Sequence, residues 1–214
     1  MRAQSIGDDA PVVGLPPFGP APTGRTWART AQTRQAILDA ARDVFLDRGF
    51  EEASIAEVVE RSGSSVGSIY HHFGGKAELY MALWDTHREA HAVAARAAVQ
   101  AHRASGIDDG LELFLAGARA YFEFSWKRRD MARLFLHDGG PAGYDAMRRG
   151  RNKEWIRQNS ALLGVKDDSV GRLRVSVLTA VIGDASREIC ACDSRREAKM
   201  MIEASLIFLR RIAV

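Results

Sequence analysis

The sequence predicts an all-α protein: a small N-terminal helix-turn-helix domain followed by a larger helical domain. Three observations carry the prediction. After Thr23 only one proline, Pro141, remains. Apolar residues recur at i, i+3, i+4 and i+7 along most of the chain, whereas no run alternates in the β-branched manner of a strand. Short breaks, most of them containing glycine, separate these periodic stretches.

Residues 1–28 hold five of the six prolines together with Gly7, Gly14, Gly19 and Gly24, and are expected to form a flexible tail. The first helix should start near Thr30 or Thr33 and present Ile37, Ala40, Ala41, Val44 and Phe45 as one apolar stripe, closed by Gly49. The second opens at Ser54-Ile55-Ala56-Glu57, a capping box in which the serine and glutamate satisfy each other's free backbone N–H groups, and ends at Gly63. A third, capped by Ser64 or Ser65, stops at Gly74-Gly75, which gives the lengths of a helix-turn-helix over residues 29–75. In the domain expected over 76–214, helices are read at about Lys76 to Ala104, Gly110 to Arg128, Met131 to His137, Tyr144 to Leu163, Ser169 to Ala191 and Ser194 to Ile212.

Bulk properties narrow the function classes. A 214-residue chain that is 46% hydrophobic can bury a real core, and a formal charge of +3 permits a nucleic-acid partner without demanding one. Cys190 and Cys192 are too few for a disulfide framework, and on a helix they point to nearly opposite sides. Apolar runs are too short for a membrane span, and the N-terminus lacks a signal-peptide core, so a soluble cytoplasmic protein is expected.

Gly63-Ser64-Ser65-Val66-Gly67 matches the G-x-S-x-G pattern of a hydrolase nucleophile elbow. That device needs a strand before the serine, and the preceding residues read as a capped amphipathic helix. Ser65 is therefore read as a helix cap, and no enzyme activity is expected. On a helical wheel Val66, Ile69 and Phe73 gather on the side facing the first two helices, while Ser64, Gly67, Ser68 and His71 gather on the other; Tyr70 and His72 flank the seam. The outward face is small at its start and rich in groups that hydrogen-bond to phosphates or base edges. From Arg61 to Ala77 there is no acidic residue, with Arg61 and Lys76 at the two ends.

Thr33-Arg34-Gln35-Ala36-Ile37-Leu38-Asp39-Ala40-Ala41, Gly49-Phe50, the Ser54-Ile55-Ala56 helix start, and Ser65-Val66-Gly67-Ser68-Ile69-Tyr70-His71-His72-Phe73 with Lys76 resemble the DNA-binding domain of TetR-type transcriptional regulators. The resemblance covers about residues 30 to 80. It implies a homodimer whose two recognition helices enter successive major grooves of a palindromic DNA operator, and a C-terminal domain that binds a small-molecule inducer. It places Val66, Gly67 and Tyr70 at or near bases, with Ser68, His71 and Ser64 close by. It also assigns Ser54, Ser65, Tyr70 and Lys76 to phosphates, and Thr33 and Arg34 to the backbone from the start of the first helix. Two positions depart from the family's pattern. Val66 replaces a long polar side chain, which favours a thymine methyl, and Gly75 replaces the usual cap before Lys76. Arg25 and Arg29 either form an arm reaching the minor groove or belong to a solubilising tail.

In the C-terminal domain Trp84, Phe114, Tyr121, Phe122, Trp126 and Trp155 are candidates to line an inducer pocket, with His87, His91, Arg119, Asn152 and Asn159 as polar orienting groups. Plain core is the competing use of such an aromatic stripe. His87 and His91 are spaced i, i+4, but no third ligand is evident, so neither a metal nor a cofactor is expected. Apolar faces on the last two helices, including Val177 and Val181 and then Met201, Ala204 and Phe208, predict a four-helix interface between two subunits, with Gly183 allowing close approach. The sequence is thus read as a ligand-responsive DNA-binding regulator, most simply a repressor. The alternative is an all-α enzyme or partner-binding module that retains the helix-turn-helix as a structural piece.

Overall fold

The computed structural model of the protein describes residues 24–136 and 140–213, and among these it contains nine α-helices and no strand. The first three are α1 (Gly24–Glu52), α2 (Ile55–Ser62) and α3 (Val66–Phe73). The rest are α4 (Lys76–Ala104), α5 (Gly110–Lys127), α6 (Arg129–Leu136), α7 (Tyr144–Leu162), α8 (Ser169–Ala191) and α9 (Arg195–Ala213). Without a strand, the nucleophile-elbow reading of Ser65 fails. Nor is any helix long and apolar enough to cross a membrane among the described residues.

The first helix differs from expectation at both ends. It already runs from Gly24, so neither Thr30 nor Thr33 caps it, and the Thr33 hydroxyl instead donates to the Arg29 carbonyl one turn back. Residues 24–28 of the expected tail are helical, and residues 1–23 lie outside the described residues. At the other end Gly49 breaks the helix with φ +74°, a left-handed conformation open to glycine at little cost, and helical turns resume to Glu52.

Two cores organise the molecule. Around Phe45, the apolar stripe of α1 meets Val58, Ile69, Leu79 and Tyr80, all with almost no exposed surface. The same cluster takes in Met131, Phe135 and Tyr144, with α6 packed on α1 and Tyr144 at the start of α7 against Tyr80 and Trp84 of α4. Tyr80 is the pivot: its ring meets Phe45, Phe50, Phe135 and Tyr144 edge-on, and its hydroxyl donates to the Leu134 carbonyl at 3.2 Å. Burial pushes its pKa up to about 12. The opening turns of α4, which starts at Lys76, complete the N-terminal core.

The second core joins α5, α8 and α9 through Phe114, Phe122, Leu178, Ile182, Ile202 and Leu209. Phe114 and Phe122, expected at a pocket, are spent here. Arg119, expected to orient a ligand, instead ties α5 to α9 by a two-pronged bond to Glu203 at 2.5 and 2.7 Å. Gly183 has open space around it within the single chain. Gly171 does not: a Cβ there would lie 2.0 Å from the Lys166 carbonyl oxygen, so only glycine lets the preceding loop fold against α8.

Candidate functional site

The turn between α2 and α3 is set by local chemistry. Ser54 and Glu57 close the capping box in both directions: the Glu57 amide donates to the Ser54 hydroxyl at 3.2 Å and the Ser54 amide to the Glu57 carboxylate at 3.0 Å. Those bonds, with Arg48 nearby, hold the Glu57 carboxyl below its usual pKa. Gly63 takes φ +65° at the end of α2, and its amide donates to the Val59 carbonyl. Ser65 then caps α3, its hydroxyl accepting from the Ser68 amide at 3.1 Å.

Ile69 anchors α3 with no exposed surface, and the opposite side is open. Val66 is 50% exposed and Tyr70 54%, so Val66 does not face the first two helices as its place on the wheel suggested. The physical reason is helix length. In eight residues Ile69 is the one fully buried side chain, and Val66, the first residue of the helix, is left half in solvent. Gly67 and His71 are exposed, Ser64 and Ser68 partly so. The structure therefore brings Val66, Gly67, Tyr70 and His71 onto one outer surface, with hydroxyls of Ser65 and Ser68 beside them.

The flanking cations behave differently from expectation. The Lys76 ammonium donates to the carbonyls of Glu51 and Ala53, both at 2.9 Å, and sits 4.7 Å from the Phe50 ring centre. In this conformation it staples the α1–α2 connection to α4 rather than projecting to a phosphate. Arg61 is paired with Asp47 at 2.7 Å. Arg34 lies over the Phe73 ring at 4.9 Å, turned toward the side of α4. The α3 face is consequently close to neutral, offering hydroxyls, imidazole and backbone amides. The N-terminus of α4 has no side-chain cap at Gly75, as expected.

A buried polar seam runs between α4, α5 and α8. The Nδ1 of His91 lies 2.9 Å from the His87 carbonyl, which can only accept, so Nδ1 carries the proton. Its Nε2 faces the Ser125 hydroxyl at 3.1 Å, and Ser125 in turn accepts from Ser186 at 3.0 Å. Burial pushes the His87 pKa down to about 3, with His91 and Arg128 adding to the effect, and burial likewise lowers that of His91. Tyr121 leans on His91 at 4.7 Å and on Trp155 at 5.8 Å, so three of the expected pocket residues do meet. Trp84 lies in the N-terminal core against Tyr144, Trp126 is stacked under Arg129, and Asn152 is exposed. Asn159 is buried, its amide bonded to the Trp155 carbonyl. Among the described residues no group of three His, Cys, Asp or Glu side chains is placed to hold a metal. Cys190 and Cys192 are free and buried, and burial raises both thiol pKa values.

At the far end, α8 exposes Val170, Leu173 and Val177 and α9 exposes Met200, Ile207, Phe208 and Ile212. Of these, the sequence pattern singled out Val177 and Phe208 and missed Val170, Met200 and Ile207. Ile182 and Ile189 are core, and Val181, Met201 and Ala204 are half-buried.

Comparison with known proteins follows the same division. Residues 37–83 match the family model described as bacterial regulatory proteins, tetR family. Over 73 residues the chain is 41% identical to the HTH-type transcriptional regulator TtgR of Pseudomonas putida, covering 34% of this chain and 35% of the relative. Over 55 residues it is 42% identical to the HTH-type transcriptional repressor AcnR of Corynebacterium glutamicum, covering 26% and 29%. The chain thus spans about a third of the length of the curated relatives it matches. Likeness of fold extends further. A TetR-like transcriptional regulator from Rhodococcus sp. RHA1 superposes with a TM-score of 0.64 at 20% identity over 85% of this chain and 93% of that one. A TerR/AcrR-family regulator from Aquifex aeolicus gives 0.64 at 17% identity over 84% and 99%.

Proposed function

From a chain whose N-terminal domain belongs to the tetR family of bacterial regulatory proteins, we propose a sequence-specific DNA-binding transcriptional regulator that acts as a homodimer and is released from a palindromic operator by a small molecule. The observation that carries this reading is the outer face of α3, where Val66 and Tyr70 project from a helix seated by a fully buried Ile69. A folded domain has no packing reason to hold a valine and a tyrosine half in solvent on one short helix; a partner surface gives one. In the major groove Val66 meets a thymine methyl, and Tyr70, Ser68 and His71 reach base edges or phosphate oxygens. The N–H groups at the start of α3, with the Ser65 hydroxyl, suit a phosphate.

Two such helices must lie ~34 Å apart to enter successive grooves, which requires a dimer. The apolar strips of α8 and α9 supply the surface, in a four-helix arrangement with a second copy. Regulation is then a population shift: an effector that binds better to a wrongly spaced dimer draws the protein off DNA. The seam formed by His91, Tyr121 and Trp155 is where an effector would lodge in the C-terminal domain. The relatives named as repressors support repression as the sense of control.

The test is binding of the purified protein to its own upstream intergenic DNA across a salt series, beside the Tyr70→Ala variant. Tight, sequence-selective binding that the variant loses supports the proposal. Equal weak binding by both to upstream and genomic fragments alike would return the chain to the class of all-α binding modules.

A further inference from the structure

We propose that a groove along the outer side of α4 binds a small monocarboxylate with an apolar body, and that this ligand weakens DNA binding through Arg34; the second half rests on the regulator reading above. The groove is open to solvent, has a volume of about 750 Å³ and is lined by residues of α1, α4, α5 and α7. It is separate from the α3 face and from the His91–Tyr121–Trp155 seam. Phe124 is the partition: it lines the groove, and its ring lies 4.8 Å from that of His91.

The floor is apolar, made by Ala82, Ala90, Val93, Ala94 and Phe124. Val93 is 53% exposed there, in the middle of a long helix. Above the floor stand three guanidinium groups, Arg34, Arg88 and Arg151, against two carboxylates, Asp85 and Glu89. Glu89 is bonded at 2.6 Å by Arg96, which does not line the groove, and its other oxygen lies 3.5 Å from Arg88. Asp85 is shared at long range, 3.3 Å from Arg151 and 3.7 Å from Arg88. Arg34 has no carboxylate partner among the described residues and rests on Phe73. The groove therefore has positive charge to spare above an apolar surface, the pattern for an amphipathic monoanion rather than a neutral or multiply charged ligand.

A second observation points the same way. The Nε of Arg88 is buried and makes no hydrogen bond; its ion-pair partner, the Oδ1 of Asp85, likewise makes none and lies 3.7 Å away, beyond hydrogen-bond reach. A buried N–H without an acceptor is costly. A ligand carboxylate set between Arg88 and Arg151 supplies that acceptor and turns a loose four-group cluster into paired, charge-assisted bonds.

The link to DNA is Arg34. It belongs to α1, lines the groove, and stacks on Phe73, the last residue of α3. A carboxylate that draws Arg34 toward α4 removes it from Phe73 and alters how α3 is held.

Isothermal calorimetry with decanoate and 3-phenylpropanoate, against decanol and 3-phenylpropanol as uncharged controls, tests the site. It uses the full chain and the exposed-position variants Arg151→Glu and Val93→Glu, whose folding is checked by thermal melting. One acid should bind at one site per chain, with its alcohol weaker by about tenfold or more, and either variant should lose about tenfold, as expected for a charged hydrogen bond removed. Acids and alcohols binding alike, binding untouched by both variants, or no binding of either acid would overturn the site. Operator affinity is then measured with and without the bound acid; saturation that leaves it unchanged would overturn the coupling. A protein that binds no DNA at all would defeat the regulator reading, while the calorimetry would still decide whether the groove takes a carboxylate.

Discussion

Tyr70 follows Val66 by one turn on the outer side of α3, and the two are 54% and 50% exposed while their neighbour Ile69 is fully buried. Removing either outer side chain should therefore spare the fold. Tyr70→Ala is expected to change stability by no more than about 0.5 kcal/mol, as for surface substitutions generally. Operator affinity should fall by about tenfold or more, the cost of one good base contact. Fluorescence anisotropy beside a urea melt reads both. An unaltered affinity would remove Tyr70 from the interface. Val66→Ser should relax preference at a single base position instead.

Lys76 makes a different prediction, because its ammonium already serves the fold. Lys76→Met deletes two charged bonds to carbonyls, so a loss of about 1–3 kcal/mol in urea unfolding is expected. Faster amide exchange around Glu51 to Ala53 should accompany it. If Lys76 swings out to a phosphate on docking, the salt slope of operator binding also falls by about one. Wild-type stability in this variant would show that the staple contributes nothing.

The apolar strips of α8 and α9 should hold two subunits together. Leu173 and Phe208 are 64% and 57% exposed in the single chain, one from each helix. Placing a glutamate at both positions buries like charges against their counterparts in a dimer. Light scattering at micromolar concentration should show a dimer for the natural sequence and a monomer for Leu173→Glu/Phe208→Glu with unchanged helix content. A natural sequence that is itself monomeric would remove the interface.

Acid sensitivity should come from His87 first. Its folded pKa is near 3, well below the ordinary 6.5 of the unfolded chain. Between those values the unfolded chain binds more protons than the folded one. Its contribution is fully present above about pH 6.5 and is lost as pH falls, at no more than about 1.4 kcal/mol per pH unit. His91 acts in the same direction. Glu57, Glu89, Glu112 and Glu203, whose pKa values are lowered from 4.5, lose their contributions only at still lower pH. Urea melts at pH 7 and pH 5 thus isolate the histidines, and His87→Gln should flatten the profile. A natural protein equally stable at both would contradict the buried, neutral state.

The caps and turn of the helix-turn-helix were legible in the sequence; the ends of α1 were not. Ser54 with Glu57, the Gly63 turn and the Ser65 cap involve residues a few positions apart, and the bonds they make are those their spacing dictates. The lengths of α2 and α3 and the DNA-binding likeness followed from the same short-range patterns. Packing in three dimensions assigned each long side chain its partner. Lys76 finds carbonyls 23 and 25 residues away, Arg119 finds Glu203 on α9, and Phe114 and Phe122 turn to α8 and α9 instead of a pocket. Periodicity marks an apolar stripe but is silent on whether a neighbouring helix, a second subunit or a ligand covers it. Val66 shows the limit most plainly: its place on the wheel is inward, yet as the first residue of α3 it is left half in solvent.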